Sequence, residues 1–560
     1  MSTVAEHLAE RLRQRGLRHF FGQSLPSALV LALEAGGVEQ IAYRTENAGG
    51  AMADGFSRVG SEIGVVTAQN GPAAALLVAP LLEAKLVRSP VLAIVQEVPS
   101  RLRGKNAFQE IDHFELFRSC TKAVLRIDDA DRAVEMLDRA VDLAGGGVPG
   151  PVVLLAPADI LIEEAVQSAP APPADLRFPA DRSVPAPDRI REAVEALAGA
   201  SRPLVVAGGG VRRSDASAAL RSFAERRRIP VATTNMGKGT FDEAHELSVG
   251  VVGNVMAPRS TTHGMDEVVR AADVILVLGA RMNENGTDSW KLFPRDAVYI
   301  QVDLDADELG RNYPAIRLRG DVRVTLEALD AACEELSHYD AEPVIARIAE
   351  IRKAARERLD ALVDMGQTPV RPERVVRELA AAVPEDAILV ADASYSTIWL
   401  SNCFPAAGGR REFVEPRGMA GLGWGLPMAI GAKVAHPSRE VVCLTGDGGF
   451  GHVWQELETL TRMRRKVIIV LLDNGILGFQ KHAEIAKYSG TTTATEFHPV
   501  DHAAVARAAG VEAVEVEDPG ALAAVFAAAL AGESSVLISV RTDPRAYPPI
   551  TAFGDLSEAV

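Results

Sequence analysis

Residues Gly446-Asp447-Gly448-Gly449-Phe450-Gly451 follow the β-branched run EVVCLT and precede an amphipathic helical pattern. They fit the dinucleotide fingerprint G-x-G-x-x-G, in which glycines let backbone amides approach a pyrophosphate. Asp447, however, sits inside the turn, where the phosphate would lie. A carboxylate in contact with a phosphate in a partly desolvated site is strongly unfavourable. A divalent cation between them removes the conflict, and Mg²⁺ favours a carboxylate together with phosphate oxygens. A second apolar run, KVIIVLLDN, ends in Asp473 and Asn474, 26 and 27 residues after Asp447. If both runs are strands of one sheet, Asp447 and Asn474 stand at neighbouring strand ends and reach one ion. The following Gly475-Ile476-Leu477-Gly478 offers a backbone carbonyl, with Ile476 the candidate third ligand. The spacing predicts a helix from Gly451 with its N-terminus towards the diphosphate, acidic at Glu456 and Glu458 and basic at Arg462, Arg464 and Arg465. Two rival readings stand beside this one. Asp473 as a ribose ligand of a nucleotide oxidoreductase requires a spacing slightly beyond the usual about 20 residues, and Asp447 as a plain turn cap requires no ligand.

These turns need sheets to hold them. Short apolar runs that end in glycine or polar residues recur in three parts of the chain: LRHFFG near the start; RPLVVAGGGV, IPVATTNMG, DVILVLGAR and AVYIQVDLD in the middle; AILVADAS, EVVCLTGDG, KVIIVLLDN and SVLISVRTD in the last third. Helical periods separate them. This pattern predicts an α/β protein of three doubly wound, parallel-sheet domains, with ligands at the carboxyl ends of the strands. Residues 168–189 and 364–372, rich in proline and charge, read as linkers, giving domains at 1–167, 190–345 and 372–550.

Bulk properties agree with a large globular enzyme. The 560 residues exceed one core, and 48% hydrophobic and 24% charged residues are ordinary values. A formal net charge of −16 argues against nucleic acid or an anionic membrane as partner. No apolar run approaches the roughly 18 residues that span a bilayer. The four cysteines are far apart, which argues against disulfides and structural zinc and suits a reducing cytoplasm. The eleven histidines form no metal motif. His113 and His482 lie beside proposed substrate segments, and a packed histidine is the commoner reading of each.

GDGGF followed by LLDN resembles the signature of the thiamine-diphosphate-dependent enzymes, and YRTENAGGAMADGFSRVGSEIGVVTAQNGPAA (residues 43–74) resembles the segment carrying the catalytic glutamate of their acetohydroxyacid synthase-like group. The resemblance puts Glu46 on that glutamate, where its carboxyl would meet the far pyrimidine nitrogen of the cofactor and favour the imino tautomer. Asn70 and Pro72 fall in the accompanying N-G-P. PRGMAGLGWGLPMAIGAKVA resembles the segment that bends the cofactor: Leu422 as the wedge, the Ala420 carbonyl and Leu422 amide on the pyrimidine edge. DASYS matches a diphosphate-contacting turn, giving Ser394, Tyr395 and Ser396 beside Gly446, Asp447, Gly448, Gly449, Asn474, Ile476, Leu477 and Gly478. The resemblance implies thiamine diphosphate, Mg²⁺ and a homodimer or homotetramer whose active sites lie between subunits.

GKNAFQEIDHFELFRSCTK is close to the acetohydroxyacid synthase version, with Phe108 and Lys122 in the substrate pocket and Gln109 reaching over the active centre. That implies a 2-oxo acid such as pyruvate as donor and a second carbonyl compound as acceptor. Three departures alter the acceptor side: Asn285 in place of an arginine that grips the second acid, Phe479 in place of a methionine and Ala483 in place of a tryptophan. A non-ligating decarboxylase or carbon–carbon lyase is therefore the alternative. Gly208–Gly210, Asn235-Met236-Gly237, LGAR and Asp303 resemble the middle domain that holds FAD in several relatives, although such glycines serve equally well as strand-end turns. A non-catalytic binding homologue is disfavoured because Glu46, Asp447 and Asn474 are all present.

Overall fold

The computed structural model describes residues 2–165, 175–333, 339–363, 365–406, 410–554 and 556. They form three six-stranded sheets, every strand pairing parallel to its neighbours. The first sheet comprises, in chain order, His19–Phe21, Glu39–Ile41, Gly64–Ala68, Val91–Glu97, Ala123–Arg126 and Val152–Pro157. The third comprises Ile388–Ala391, Glu412–Val414, Val441–Gly446, Ile468–Asp473, Glu512–Val516 and Val536–Arg541. Numbered within its own sheet, each follows the order 2-1-3-4-6-5. The middle sheet, from Pro203–Ala207 to Ala315–Arg319, follows 6-5-4-1-2-3, the dinucleotide-fold order. Central strands such as Val91–Glu97, Val274–Leu278 and Ile468–Asp473 are almost wholly buried, as helices on both faces require.

Such sheets place ligands where the strand order reverses. In the third sheet that is the crevice between the ends of Ile388–Ala391 and Val441–Gly446, and in the middle sheet between Pro203–Ala207 and Val274–Leu278. The two cavities described below lie at these two places.

The first and third domains share a core. Helix Glu46–Val59 packs along helix Gly425–Ala435, and residues of both belong to one buried cluster with Phe21, Trp424 and Leu457. Small residues make the approach possible: a Cβ on Gly55 would stand 2.5 Å from the Met428 Cα, and one on Gly431 would stand 2.8 Å from the Phe56 amide nitrogen. Trp424 Nε1 donates to Asn47 Oδ1 at 2.8 Å across the same contact. The small residues following Glu46 thus admit a neighbouring helix.

Two sequence expectations need correction. Part of the first expected linker, 168–174, lies outside the described residues; beyond it, Leu176 and Phe178 are buried in the first domain's core, and the Ile63 amide donates to the Leu176 carbonyl at 2.8 Å. No single helix starts at Gly451. A short helical turn, Asp447–Phe450, is followed by a break and then by helix Glu456–Met463. The Glu456 carboxylate accepts from the amides of Arg44 (3.2 Å) and Thr45 (3.1 Å), bracing the start of the Glu46 helix instead of its own N-terminus.

Candidate active site

The third-domain cavity collects the residues picked out by the sequence. Ser394, Tyr395, Ser396, Leu422, Gly446, Asp447, Gly448, Gly449, Asn474, Ile476, Leu477 and Gly478 all line it. Asp447, at the end of strand Val441–Gly446, is buried, and its Oδ2 accepts from the Gly475 amide at 2.8 Å. Burial, and then the neighbouring Asp473, push its carboxyl up to about 6. A carboxyl so disfavoured in its charged form gains from a cation. Asn474 and Ile476 stand on the same wall, and Asn474 Oδ1 accepts from the Ile476 amide at 3.2 Å. These residues fit a hard divalent cation. The glycines fit an anion cradle: a Cβ on Gly448 would stand 3.0 Å from Leu477 Cδ2 and 3.1 Å from a Phe497 ring carbon. Asp473 binds Arg541 at 3.2 Å, which draws it away from the ribose role of the rival reading. Ligand atoms of Asp447, Asp473 and His502 also lie within 4.8 Å of one another.

The sequence reading missed Asp392. Fully buried, it accepts from the amides of Ala393 (2.8 Å), Gly423 (3.0 Å), Trp424 (3.2 Å) and Gly425 (3.3 Å) and from Thr445 Oγ1 (3.2 Å). Burial raises its pKa against those bonds. It fastens the turn after Leu422 to the strand end before Ser394. The aspartate of DASYS, at the end of an apolar run, was the available signal. Pro372, Trp399 and Thr542 complete the wall.

Among the described residues, none of the first domain lines this cavity. Glu46 begins helix Glu46–Val59, capped by Thr45 Oγ1, and is half-buried. Asn70, Pro72, Phe108 and Gln109 form their own group: Asn70 Nδ2 donates to the Gln109 carbonyl at 3.1 Å, and Gln69 Nε2 to Gln109 Oε1 at 2.8 Å. Gly71 (φ +65°) lies so near Gln109 that an added Cβ would stand 2.8 Å from its Cβ. Phe108 is 84% exposed, a large apolar ring facing solvent beside polar site candidates.

Other expectations fare differently. Lys122 Nζ donates to the Leu143 and Gly146 carbonyls (2.5 and 2.7 Å) at the end of helix Ala133–Gly145, so its ammonium is occupied there and lies away from the cavity lining. Ala420, Phe479 and Ala483 do not line the cavity, although Phe479 packs against Tyr395 with ring centroids 6.1 Å apart. His113 is a packed histidine, bonded to Glu97 at 3.1 Å and to the Gly71 amide at 3.4 Å. His482 is buried against the Tyr395 hydroxyl at 2.6 Å, and burial pushes it down to about 4. The four cysteines are buried. Among the described residues, no helix is long and apolar enough to cross a membrane.

A larger cavity, about 170 Å³ against about 50 Å³, opens at the middle sheet's reversal point. Gly209, Gly210, Asn235, Met236, Arg281 and Asp303 line it, as do the half-buried Arg212 and Arg213. Burial, and then Arg58, bring Arg213 down to about 9, and burial lifts Asp303 to about 6. Asn285 lines this cavity, not the third-domain one, so the expected acceptor-side position is not met within one chain.

Comparison with known proteins agrees with this architecture. Models of the thiamine pyrophosphate enzyme N-terminal, central and C-terminal domains match residues 2–116, 190–329 and 392–540. The chain belongs to the thiamine pyrophosphate enzymes, proteins that carry their chemistry on thiamine diphosphate. Within them it is similar to a probable acetolactate synthase large subunit of Methanocaldococcus jannaschii, 32% identical over 99% of this chain and 95% of the relative. It is 30% identical to the acetolactate synthase of Arthrospira platensis (99% and 97% covered) and 28% identical to the isozyme 1 large subunit of Escherichia coli (98% and 96%). It is an acetolactate synthase-like carboligase, and the oxidoreductase reading of its glycine turn is set aside.

Proposed function

We propose that the chain joins an acyl unit from a 2-oxo acid such as pyruvate to a second carbonyl compound, with Mg²⁺ held by Asp447, Asn474 and the Ile476 carbonyl. The observation that carries this is the third-domain cavity: a buried carboxyl at a glycine turn, with the Asn474 amide and the Ile476 backbone lining the same space. Thiamine diphosphate, when bound, supplies the electron sink for cleaving the bond beside the oxo group. The residues do the rest. Ser394, Ser396 and the Gly446–Gly449 turn would hold the diphosphate end, Leu422 would set the bend, and Glu46 would exchange a proton with the pyrimidine nitrogen.

Glu46 is absent from the cavity it would serve, which supports a homodimer or homotetramer in which one subunit's Glu46, Asn70, Pro72 and Gln109 complete the partner's site. Phe108 would lie in that interface. We assign FAD to the larger cavity on its arginines and its place at the sheet's reversal point. Close packing also accounts for Gly210, since a Cβ there would stand 2.6 Å from the Gly279 Cα. A reducing cytoplasm suits four buried cysteines far apart in the sequence.

Phe479 and Ala483, in place of a methionine and a tryptophan, and Asn285, in place of an arginine, support an uncharged acceptor carbonyl. Incubation with pyruvate and a panel of aldehydes and 2-oxo acids tests the assignment. Ligated hydroxyketone products support it; free acetaldehyde with no ligated product would establish the decarboxylase alternative.

A further inference from the structure

The loop between strand Glu412–Val414 and helix Gly425–Ala435 carries Ala420 and Leu422, yet it has no regular structure of its own to fix it. What fixes its outer turn comes from the first domain. Glu83, in helix Val78–Leu86, is 0% exposed. Its carboxylate accepts from three successive loop amides: Gly418 at 2.9 Å, Met419, and Ala420 at 3.3 Å. The loop lies flat on the helix, because a Cβ on Gly418 would stand 2.8 Å from the Glu83 carbonyl oxygen. Ala420 itself has φ +58°, a left-handed conformation that costs a non-glycine residue energy and persists where its surroundings impose it.

Glu83 is in turn held by Arg58, whose Nη2 donates to Glu83 at 2.7 Å and to Asp54 at 2.6 Å, while Nη1 donates to the Glu415 carbonyl at 2.5 Å. One arginine thus grips two buried carboxylates and the start of the loop. Of the two carboxylates, only Glu83 bonds loop amides. Bonds from amides to an ionised carboxylate are short and about twice as strong as neutral ones.

We propose that Glu83 is a positioning residue for the reaction: it sets the height of residues 418–422, and through them the placement of the Ala420 carbonyl and Leu422 against the cofactor. This rests on reading Ala420 and Leu422 as pyrimidine contacts. The geometry also runs further. Arg58, Glu415 and Arg417 line the larger cavity and Leu422 lines the smaller, so this strap joins the walls of both.

The test uses the full-length chain and the variants Glu83→Gln, Glu83→Asp and Asp54→Asn. Thiamine diphosphate affinity with Mg²⁺ is read from the fluorescence of the tryptophans, of which Trp424 is two residues from Leu422. Turnover, the pyruvate KM and the circular-dichroism band of the bound cofactor are read beside thermal stability. In Glu83→Gln the amide's NH₂ faces loop N–H groups, so the turn is released. Affinity should fall about tenfold and kcat about a hundredfold, the scale of an ångström-level misplacement, with the dichroic band changed and KM nearly constant. Asp54→Asn weakens the same Arg58 ion pair and should lower stability similarly while leaving affinity and kcat within about twofold. Glu83→Asp keeps the charge at shorter reach and should fall between; it carries the test if Glu83→Gln does not fold. Equal losses in Glu83→Gln and Asp54→Asn, or none in either, would overturn the inference. A wild-type chain that binds no thiamine diphosphate would overturn it together with the cofactor reading, whereas normal wild-type binding with unaltered Glu83→Gln overturns it alone.

Discussion

Gly431 and Phe56 come so close across the two domains that a Cβ on the glycine would stand 2.8 Å from the phenylalanine's amide nitrogen, and closer still to the Met52 carbonyl oxygen. The helices carrying them bury Met52, Ala53, Ala429 and Ile430. Neither backbone can give way without disturbing that core. Gly431→Ala should destabilise the chain by about 1–3 kcal/mol, the usual range for overpacking. A denaturant melt with an unchanged midpoint would show that the helices are not in contact as described.

Glu46→Gln should remove most turnover while leaving thiamine diphosphate binding intact, because the amide fills the same space but cannot exchange a proton with the pyrimidine nitrogen. Turnover and cofactor affinity measured on the same preparation check this. Full activity in the variant would exclude the proton role.

Two inactive variants should rescue one another if sites are shared between subunits. In a mixed dimer of Glu46→Gln and Asp447→Ala chains, one site collects both lesions and the other collects neither. Random mixing then restores about a quarter of wild-type activity, since half the dimers are mixed and each has one intact site of two. Co-expression and assay read this directly. Activity that stays at the level of the separate variants would place the whole site within one chain.

Glu415, which lines the larger cavity, gives a pH prediction for the chain free of FAD. Its carboxyl is buried and accepts from Ser401 Oγ at 3.0 Å, and burial pushes its pKa up to about 7 from 4.5. Above the unfolded value the unfolded chain releases this proton while the folded chain keeps it. Stability therefore falls as pH rises from about 4.5 towards 7 and levels off above that. The contribution is about 3 kcal/mol at one unit per 1.36 kcal/mol. Glu415→Gln should flatten that part of the stability–pH curve and raise Tm at pH 8; an unchanged slope between the two chains would contradict it.

The fold was legible because each central strand is a continuous β-branched run ending in glycine or a polar residue. Runs such as DVILVLG and KVIIVLLDN bury both faces and leave chemistry only at their ends. Asp447, Asn474 and Ser394 to Ser396 could be read for the same reason: each sits at such an end. The carbonyls that Lys122 meets at the end of helix Ala133–Gly145 could not be read from its place beside a substrate segment. Asp392 and Glu83 bond backbone amides brought together by folding, the latter across more than 300 residues, so no local pattern marks them. The break after Phe450 was hidden because a helical period resumes a few residues later, at Glu456.

The account depends on magnesium joining the Asp447 carboxylate to the cofactor's diphosphate. Thiamine diphosphate affinity of wild type and Asp447→Ala, each measured with Mg²⁺ and with a chelator, tests that most directly. Wild-type binding should be strong only with Mg²⁺, and the variant should bind weakly under both conditions. Equal affinity in all four measurements would contradict the account.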